Sequence, residues 1–316
     1  MDNNRLFSIV VPVYQNADNL NDTIPALLSL QKKIKGYDLE LIFVDDGSTD
    51  GSYDILRKFH EIHCDKILII KLTKNFGQNS AIYAGLHAAQ GDAIGIISAD
   101  LQDPPELFID MLERWKCGTK LIIGERKGRG ENIGKNVFSR LYWKLVKNYA
   151  VKDFPVGGFD FCVIDKQIAK EVRLINEKNS HIFVLMFSLG YPYEILLYDR
   201  KKRISGKSQY TISKKIKMFV DTFVAFSDMP IRAISYFGFF VSLVSFIFAV
   251  YFIAIKVIKG TVYTGWTSLA VLISIFGGLI LLTLGILGEY LWRLLDETRK
   301  RPQYVVESIL RRRKEE

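Results

Sequence analysis

Leu39-Glu40-Leu41-Ile42-Phe43-Val44-Asp45-Asp46-Gly47-Ser48-Thr49-Asp50-Gly51 is an apolar run that breaks abruptly into carboxylates, hydroxyls and glycines. Its first six residues, nearly all Leu, Ile, Phe or Val, predict a strand covered on both faces, as inside a parallel sheet. The polar segment after it is turn chemistry, and residues 52–63 predict a helix. The same order recurs on both sides. Residues 7–13 read as a strand ended by Gln15-Asn16-Ala17-Asp18, with helical spacing of Leu20, Ile24, Leu27 and Leu28 over residues 18–33. Residues 66–72 form a third strand, leading through Asn75-Phe-Gly-Gln-Asn79 to a helix over 80–90. Residues 93–98 form a fourth, leading through Ala99-Asp-Leu-Gln-Asp-Pro-Pro-Glu106 to another helix. Four strand–helix repeats with short connections predict an α/β fold with a mainly parallel sheet. Ligands of such sheets bind at the carboxyl ends of the strands, so the polar clusters are expected to converge on one cleft.

The rest of the chain is organised differently. Of 316 residues, 49% are hydrophobic and 13% aromatic, and the excess is concentrated in 234–255 and 261–288, which contain no Asp, Glu, Lys or Arg. Each run exceeds the roughly 20 residues that cross a hydrocarbon core as a helix. Only residues 256–260 separate them, which predicts a transmembrane hairpin. The expected layout is a cytoplasmic α/β domain over 1–209, juxtamembrane amphipathic helices over 210–232, the hairpin over 233–292 (spans about 234–256 and 264–290), and a basic cytoplasmic tail over 293–316. The polar start, Met1 to Arg5, leads straight into a strand without a signal-peptide pattern. With an even number of spans, both termini are expected in the cytoplasm of a multi-pass inner or plasma membrane protein. Arg299, Lys300 and Arg301, then Arg311, Arg312, Arg313 and Lys314, agree with that orientation, while Lys256 and Lys259 in the loop oppose it weakly.

The net charge of +9 is localised: residues 200–217 carry eight cations and no carboxylate. A cluster placed just before a membrane segment suits anionic lipid head groups or a phosphate substrate. No nucleic-acid recognition motif accompanies it. Cys64, Cys117 and Cys162 form neither a metal spacing nor a disulfide framework, which fits a reducing compartment. Asp100, Gln102 and Asp103, on a turn after a strand, supply the oxygen ligands preferred by Mg²⁺ or Mn²⁺. Asp45 and Asp46 are suited to ribose hydroxyls or a base edge.

In order and spacing, Val10-Val-Pro-Val-Tyr14, Val44-Asp-Asp-Gly-Ser-Thr-Asp-Gly51, Asn75-Phe-Gly-Gln78 and Ala99-Asp-Leu-Gln-Asp-Pro-Pro-Glu106 resemble the family-2 inverting glycosyltransferases of GT-A fold. More narrowly they resemble the polyprenyl-phosphate glycosyltransferases, the group of dolichol-phosphate mannose synthase and bacterial undecaprenyl-phosphate glucosyltransferases. The resemblance continues through Gly124-Glu-Arg126, Ser139-Arg140, Asp160-Phe-Cys-Val-Ile-Asp165, Arg203-Ile-Ser-Gly-Lys-Ser208, Gly288-Glu-Tyr290 and Arg301-Pro302, and so covers nearly the whole chain. It implies transfer of a sugar, glucose or N-acetylglucosamine from a UDP donor, to undecaprenyl or another polyprenyl phosphate at the cytoplasmic membrane face. The product would be a lipid-linked sugar for the cell envelope. It also implies a homo-oligomer, by analogy a tetramer.

Carried over by match, Pro12, Tyr14 and Asp45 contact the nucleoside, with Asp46, Gln78 and Ser98 in the same nucleotide-sugar site. Asp100 and Gln102 hold Mg²⁺ or Mn²⁺ on the diphosphate, which makes Asp100 catalytic. Arg126 and Arg140 grip the acceptor phosphate, and Arg203 and Lys207 close over the site. Arginine's fork of donors matches phosphate oxygens. Asp160 aligns with the residue proposed as catalytic base. A phosphate monoester, however, has a second pKa near 6, so its oxygen is already largely ionised at neutral pH and needs little help from a base.

Three positions depart from the pattern. Ser98 stands where the metal motif usually begins with aspartate, Gln15-Asn16 replaces Asn-Glu, and Cys162 replaces an arginine. Two other readings follow. A processive polysaccharide synthase of the same fold would carry Gln-x-x-Arg-Trp, whereas Met111 precedes Arg114-Trp115 here. A degenerate nucleotide-sugar-binding anchor would bind donor without turnover.

Overall fold

The computed structural model describes residues 5–127, 154–155, 159–175, 177, 181–199, 229–259, 265–299 and 301–311. The repeats form as the sequence predicts: β1 (Arg5–Val13), α1 (Ala17–Ser29), β2 (Tyr37–Asp45), α2 (Ser52–Ile62), β3 (Ile67–Leu72), α3 (Gln78–Ala88), β4 (Ala93–Ile96) and α4 (Leu107–Lys116). Every β2 residue except Asp38 is buried, so the apolar run does lie between two layers of helix. Some boundaries move. β4 ends at Ile96, so Ser98 belongs to the turn beyond it, and Gln78 is the first residue of α3.

After β5 (Leu121–Arg126) come β6 (Phe161–Asp165), α5 (Lys166–Leu174), α6 (Ile182–Ser188) and β7 (Tyr193–Tyr198). Together with β8 (Val306–Leu310), the strands make one eight-stranded sheet in the order β7-β5-β6-β4-β1-β2-β3-β8. β4, β1, β2 and β3 run parallel, as do β5 and β7. β6 is antiparallel to both its neighbours, and β8 is antiparallel to β3. The architecture is therefore α/β and GT-A-like, with a mostly parallel sheet. Aromatic edges tie the layers together: Phe7 meets Phe108 at 5.3 Å, Phe108 meets Phe161 at 4.9 Å, and Phe161 meets Tyr198 at 5.8 Å.

β8 lies in the segment read from the sequence as a basic tail. It pairs Ser308 with Lys71 and Leu310 with Ile69, and Lys71 Nζ reaches Glu307 Oε1 at 2.7 Å. The chain thus divides into two compact units, one made of Met1–Thr222 and Pro302–Glu316, the other of Phe223–Arg301. The second unit contains two long helices, α7 (Met229–Lys259) and α8 (Trp266–Thr298), each longer than the span expected from its uncharged run. Phe239, Leu281 and Leu282 are among many exposed apolar side chains on them, as on helices that face something other than water. Among the described residues, Ile275–Asp296 of α8 is the stretch long and apolar enough to cross a membrane. The expected amphipathic segment before α7 lies almost wholly outside the described residues.

Candidate active site

The strand order reverses between β1 and β4, and a crevice outside the carboxyl ends of the strands is the usual ligand position at such a switch point. Two non-glycine residues with left-handed backbone are found among the described residues, and both sit here: Gln15 (φ 54°) after β1 and Leu101 (φ 51°) after β4. Such conformations cost energy and concentrate at functional sites.

The loop after β1 is stitched to the loop after β2. Gln15 N donates to Ser48 Oγ (3.1 Å), Gln15 Nε2 to Thr49 Oγ1 (2.8 Å), Asn16 N to Ser52 Oγ (3.0 Å) and Ala17 N to Asp50 Oδ2 (2.9 Å). Pro12 and Tyr14 are half-buried beside this seam. Asp45, the last residue of β2, is fully buried. Its Oδ1 accepts from Ser48 N at 3.3 Å, while its enclosed Oδ2 has no hydrogen-bond partner among the described residues. Burial pushes the Asp45 carboxyl up, against the bonds from Ser48. A buried acceptor without a donor is costly, and a ligand hydroxyl or N–H would satisfy it. Asp46 is occupied otherwise: its oxygens accept from the backbone N–H groups of Phe76 (2.7 Å) and Gly77 (2.9 Å). Gln78 is exposed at the start of α3, and Ser98 is half-buried.

Asp100 and Gln102 are buried on either side of the left-handed Leu101, and Gln102 N donates to Asp100 Oδ1 at 3.3 Å. Among the described residues no group of three or more His, Cys, Asp or Glu side chains could hold a metal ion. A cation caged by such side chains alone therefore does not fit among the described residues. One carboxylate and one carboxamide oxygen do fit a hard divalent cation that keeps waters and completes its shell on substrate phosphates.

Asp103 faces away from that task. Its carboxylate accepts from Tyr198 Oη at 2.5 Å and lies 3.5 Å from Arg126 Nη2. The same Nη2 contacts Asp160 Oδ1 and Oδ2 at 2.7 and 2.6 Å, and Arg126 Nε donates to Tyr198 Oη at 3.2 Å. The antiparallel course of β6 creates this meeting: its amino end lies where the parallel strands show their carboxyl ends. Asp160, which precedes β6, thereby reaches Arg126 at the end of β5, which in turn meets Tyr198 at the end of β7. Burial alone would make the Arg126 guanidinium easier to deprotonate, but the Asp160 and Asp103 carboxylates more than reverse this and hold it charged. Beside them His181 has an enclosed Nδ1 with no partner among the described residues, and burial depresses its pKa to about 4 against the pull of Asp160.

The structure thus brings Pro12, Tyr14, Asp45, Asp46, Ser98, Asp100, Gln102, Arg126 and Asp160 to one edge of the sheet. Arg140, Arg203 and Lys207 lie outside the described residues. Sequence reasoning missed Tyr198 and His181, and it gave Asp103 to the metal. Cys162, at the position of an expected cation, is fully buried in β6.

Fold and crevice together define a GT-A glycosyltransferase. The model of the Glycosyl transferase family 2 matches residues 8–173, more than half of the chain, and the protein belongs to that family. It is therefore an enzyme, a glycosyltransferase. Among curated relatives, the uncharacterized glycosyltransferase YkcC of Bacillus subtilis (strain 168) is 36% identical over 96% of this chain and 93% of its own. A prophage bactoprenol glucosyl transferase homolog of Escherichia coli (strain K12) is 29% identical over 96% and 98%. The bactoprenol glucosyl transferase of Shigella phage SfV is 28% identical over 95% and 98%. Among solved structures, mannosyl-3-phosphoglycerate synthase from Rubrobacter xylanophilus shares the fold, with a TM-score of 0.50 at 17% identity over 74% of this chain and 75% of that one.

Proposed function

We propose that the protein transfers a sugar, glucose or N-acetylglucosamine, from a UDP donor to a polyprenyl phosphate at the cytoplasmic face of a membrane, with inversion. The reading rests above all on the reach of the likeness to proteins named bactoprenol glucosyl transferases, which spans 95–96% of this chain and so extends through α7, α8 and β8. The donor nucleoside is assigned to the seam of Pro12, Tyr14 and Asp45, where the unsatisfied Asp45 Oδ2 awaits a donor. A divalent cation held by Asp100, Gln102 and the diphosphate would neutralise charge on the leaving group. The acceptor phosphate is assigned to the Arg126 side, with Arg140, Arg203 and Lys207 joining it. Its ionised oxygen attacks the sugar's anomeric carbon as the bond to the diphosphate breaks, and the bonding pair leaves with the nucleotide. No proton need be removed from that oxygen, so rate comes from positioning and electrostatics. Asp160 then serves to hold Arg126 in place.

Chain connectivity supports a two-span anchor. The chain leaves the first unit before α7 and rejoins the same sheet at β8. A crossing by α8 therefore requires a second crossing, and α7 supplies a helix of sufficient length. An assay of the purified full chain with undecaprenyl phosphate, Mg²⁺ or Mn²⁺ and a panel of labelled UDP- and GDP-sugars tests the proposal. A chloroform-soluble labelled product from a UDP-sugar is expected. Donor binding without lipid product from any sugar would replace the reading with that of a nucleotide-sugar-binding anchor.

A further inference from the structure

The resemblance placed Asp46 among the residues that touch the nucleotide, yet its geometry has another use. It is buried, and both its oxygens are engaged by consecutive backbone N–H groups, those of Phe76 and Gly77. These amides belong to residues 73–77, which connect β3 to α3 at the carboxyl edge of the sheet. Gly77 (φ +99°) adopts a backbone that other residues rarely take, so the path of the segment here depends on glycine. The neighbouring Gly47 (φ +72°) packs so closely on the same segment that a Cβ would lie 2.6 Å from the Lys74 carbonyl carbon. At the other end Thr73 N donates to Val305 O at 3.0 Å, next to β8.

We propose that Asp46 is a positioning residue, fixing residues 73–77 as one wall of the donor nucleotide site rather than binding the nucleotide itself. The proposal rests on the donor-site reading above. Burial first, and the adjacent Asp45 charge to a lesser degree, raise the Asp46 pKa to about 6, while the Phe76 and Gly77 bonds oppose the rise. The charged group that acts on it is Asp45 on β2; Asp45 in turn is influenced by Lys71 on β3 and Asp50 in the loop after β2, and Lys71 is paired with Glu307 on β8. Protonation of Asp46 exchanges two charge-assisted bonds for weaker ones, so the wall loosens as pH falls through about 6.

Two measurements on the full chain test this. In hydrogen–deuterium exchange without nucleotide, Asp46→Asn should release one of the Phe76 and Gly77 amides, because an asparagine can accept from one of them but turns its own donors toward the other. Protection equal to wild type would overturn the clamp. In titrations with UDP-glucose and Mg²⁺, wild-type affinity should fall at least about threefold from pH 7.5 to 5.5, because at the lower pH most of Asp46 is protonated. UDP-glucose is a diphosphate diester without the ionisation near pH 6 of a phosphate monoester, so the probe itself does not titrate. The Asn variant should bind about tenfold more weakly at pH 7.5, as for loss of a hydrogen bond to a charged group, and show no fall at pH 5.5. Its KM for polyprenyl phosphate should stay within about twofold of wild type. A flat wild-type profile, or a variant that keeps the pH dependence, overturns the proposal and assigns any titration to Asp45. Wild type that binds no nucleotide sugar at pH 7.5 while one of the variant's amides still deprotects overturns the donor-site reading and with it the wall, leaving only the clamp.

Discussion

Arg126→Met is the substitution whose outcome the structure and the family resemblance forecast differently. The side chain is 9% exposed and is bound by Asp160 at 2.6 and 2.7 Å, by the fully buried Asp103 at 3.5 Å and by Tyr198 at 3.2 Å. Removing it strips the cation from a carboxylate sealed in the interior, and breaking a buried ion pair in this way costs about 3–5 kcal/mol. In a unit of this size each kcal/mol lowers the melting temperature by about 2–4 °C. The expected fall is therefore on the order of 6–20 °C, measured by thermal unfolding of the detergent-purified chain, together with loss of lipid-sugar product. Asp103→Asn in the same background should restore part of the stability, because one of the two carboxylates that faced the lost cation is neutralised, whereas the two substitutions would add if they acted independently. A melting temperature within about 2 °C of wild type, with a raised KM for acceptor alone, would sink the argument. Arg126 would then be an acceptor ligand with dispensable internal partners.

Asp100→Asn should lower turnover by at least about 10²-fold, the scale of losing a major electrostatic stabiliser; near-normal rates in the lipid-transfer assay would remove Asp100 from the cation site. His181→Phe should flatten the acid limb of stability. The folded pKa of about 4 lies below the reference 6.5, so the unfolded chain binds the proton first and wild-type stability falls as pH drops from 6.5 towards 4. Melting curves that keep the same slope in the variant over that window would show that His181 is not the group concerned. Deleting residues after Arg301 removes β8 and bares the edge of β3, which should lower the melting temperature and favour aggregation on size-exclusion chromatography; a monodisperse, equally stable product would mean that β8 is ornamental to the sheet.

The four strand–helix repeats and the polar turns at their ends were legible in the sequence because each is a local matter. A strand covered on both faces must be apolar throughout, as in residues 39–44, and a chain reversing direction needs Asp, Gly and Ser, as in residues 45–51. Asp45 and Asp100 could therefore be assigned to the same end of the sheet from the sequence, and the two uncharged runs could be read as long helices. The tertiary structure decided what pairs with what. Nothing in residues 160–165 reveals that β6 runs antiparallel, yet that direction carries Asp160 to Arg126, 34 positions earlier in the chain, where Arg126 also meets Tyr198. Nothing in residues 306–310 reveals that they return to β3, because a short strand of mixed polarity carries no mark of its partner. Asp46 reads in the sequence as a second ligand beside Asp45, and only the fold shows that residues 73–77 bring two backbone N–H groups to its carboxylate. Periodicity records how far a residue is removed from water; the partner that meets it there depends on chain direction and on contacts between segments far apart in sequence, and those exist only in the folded sheet.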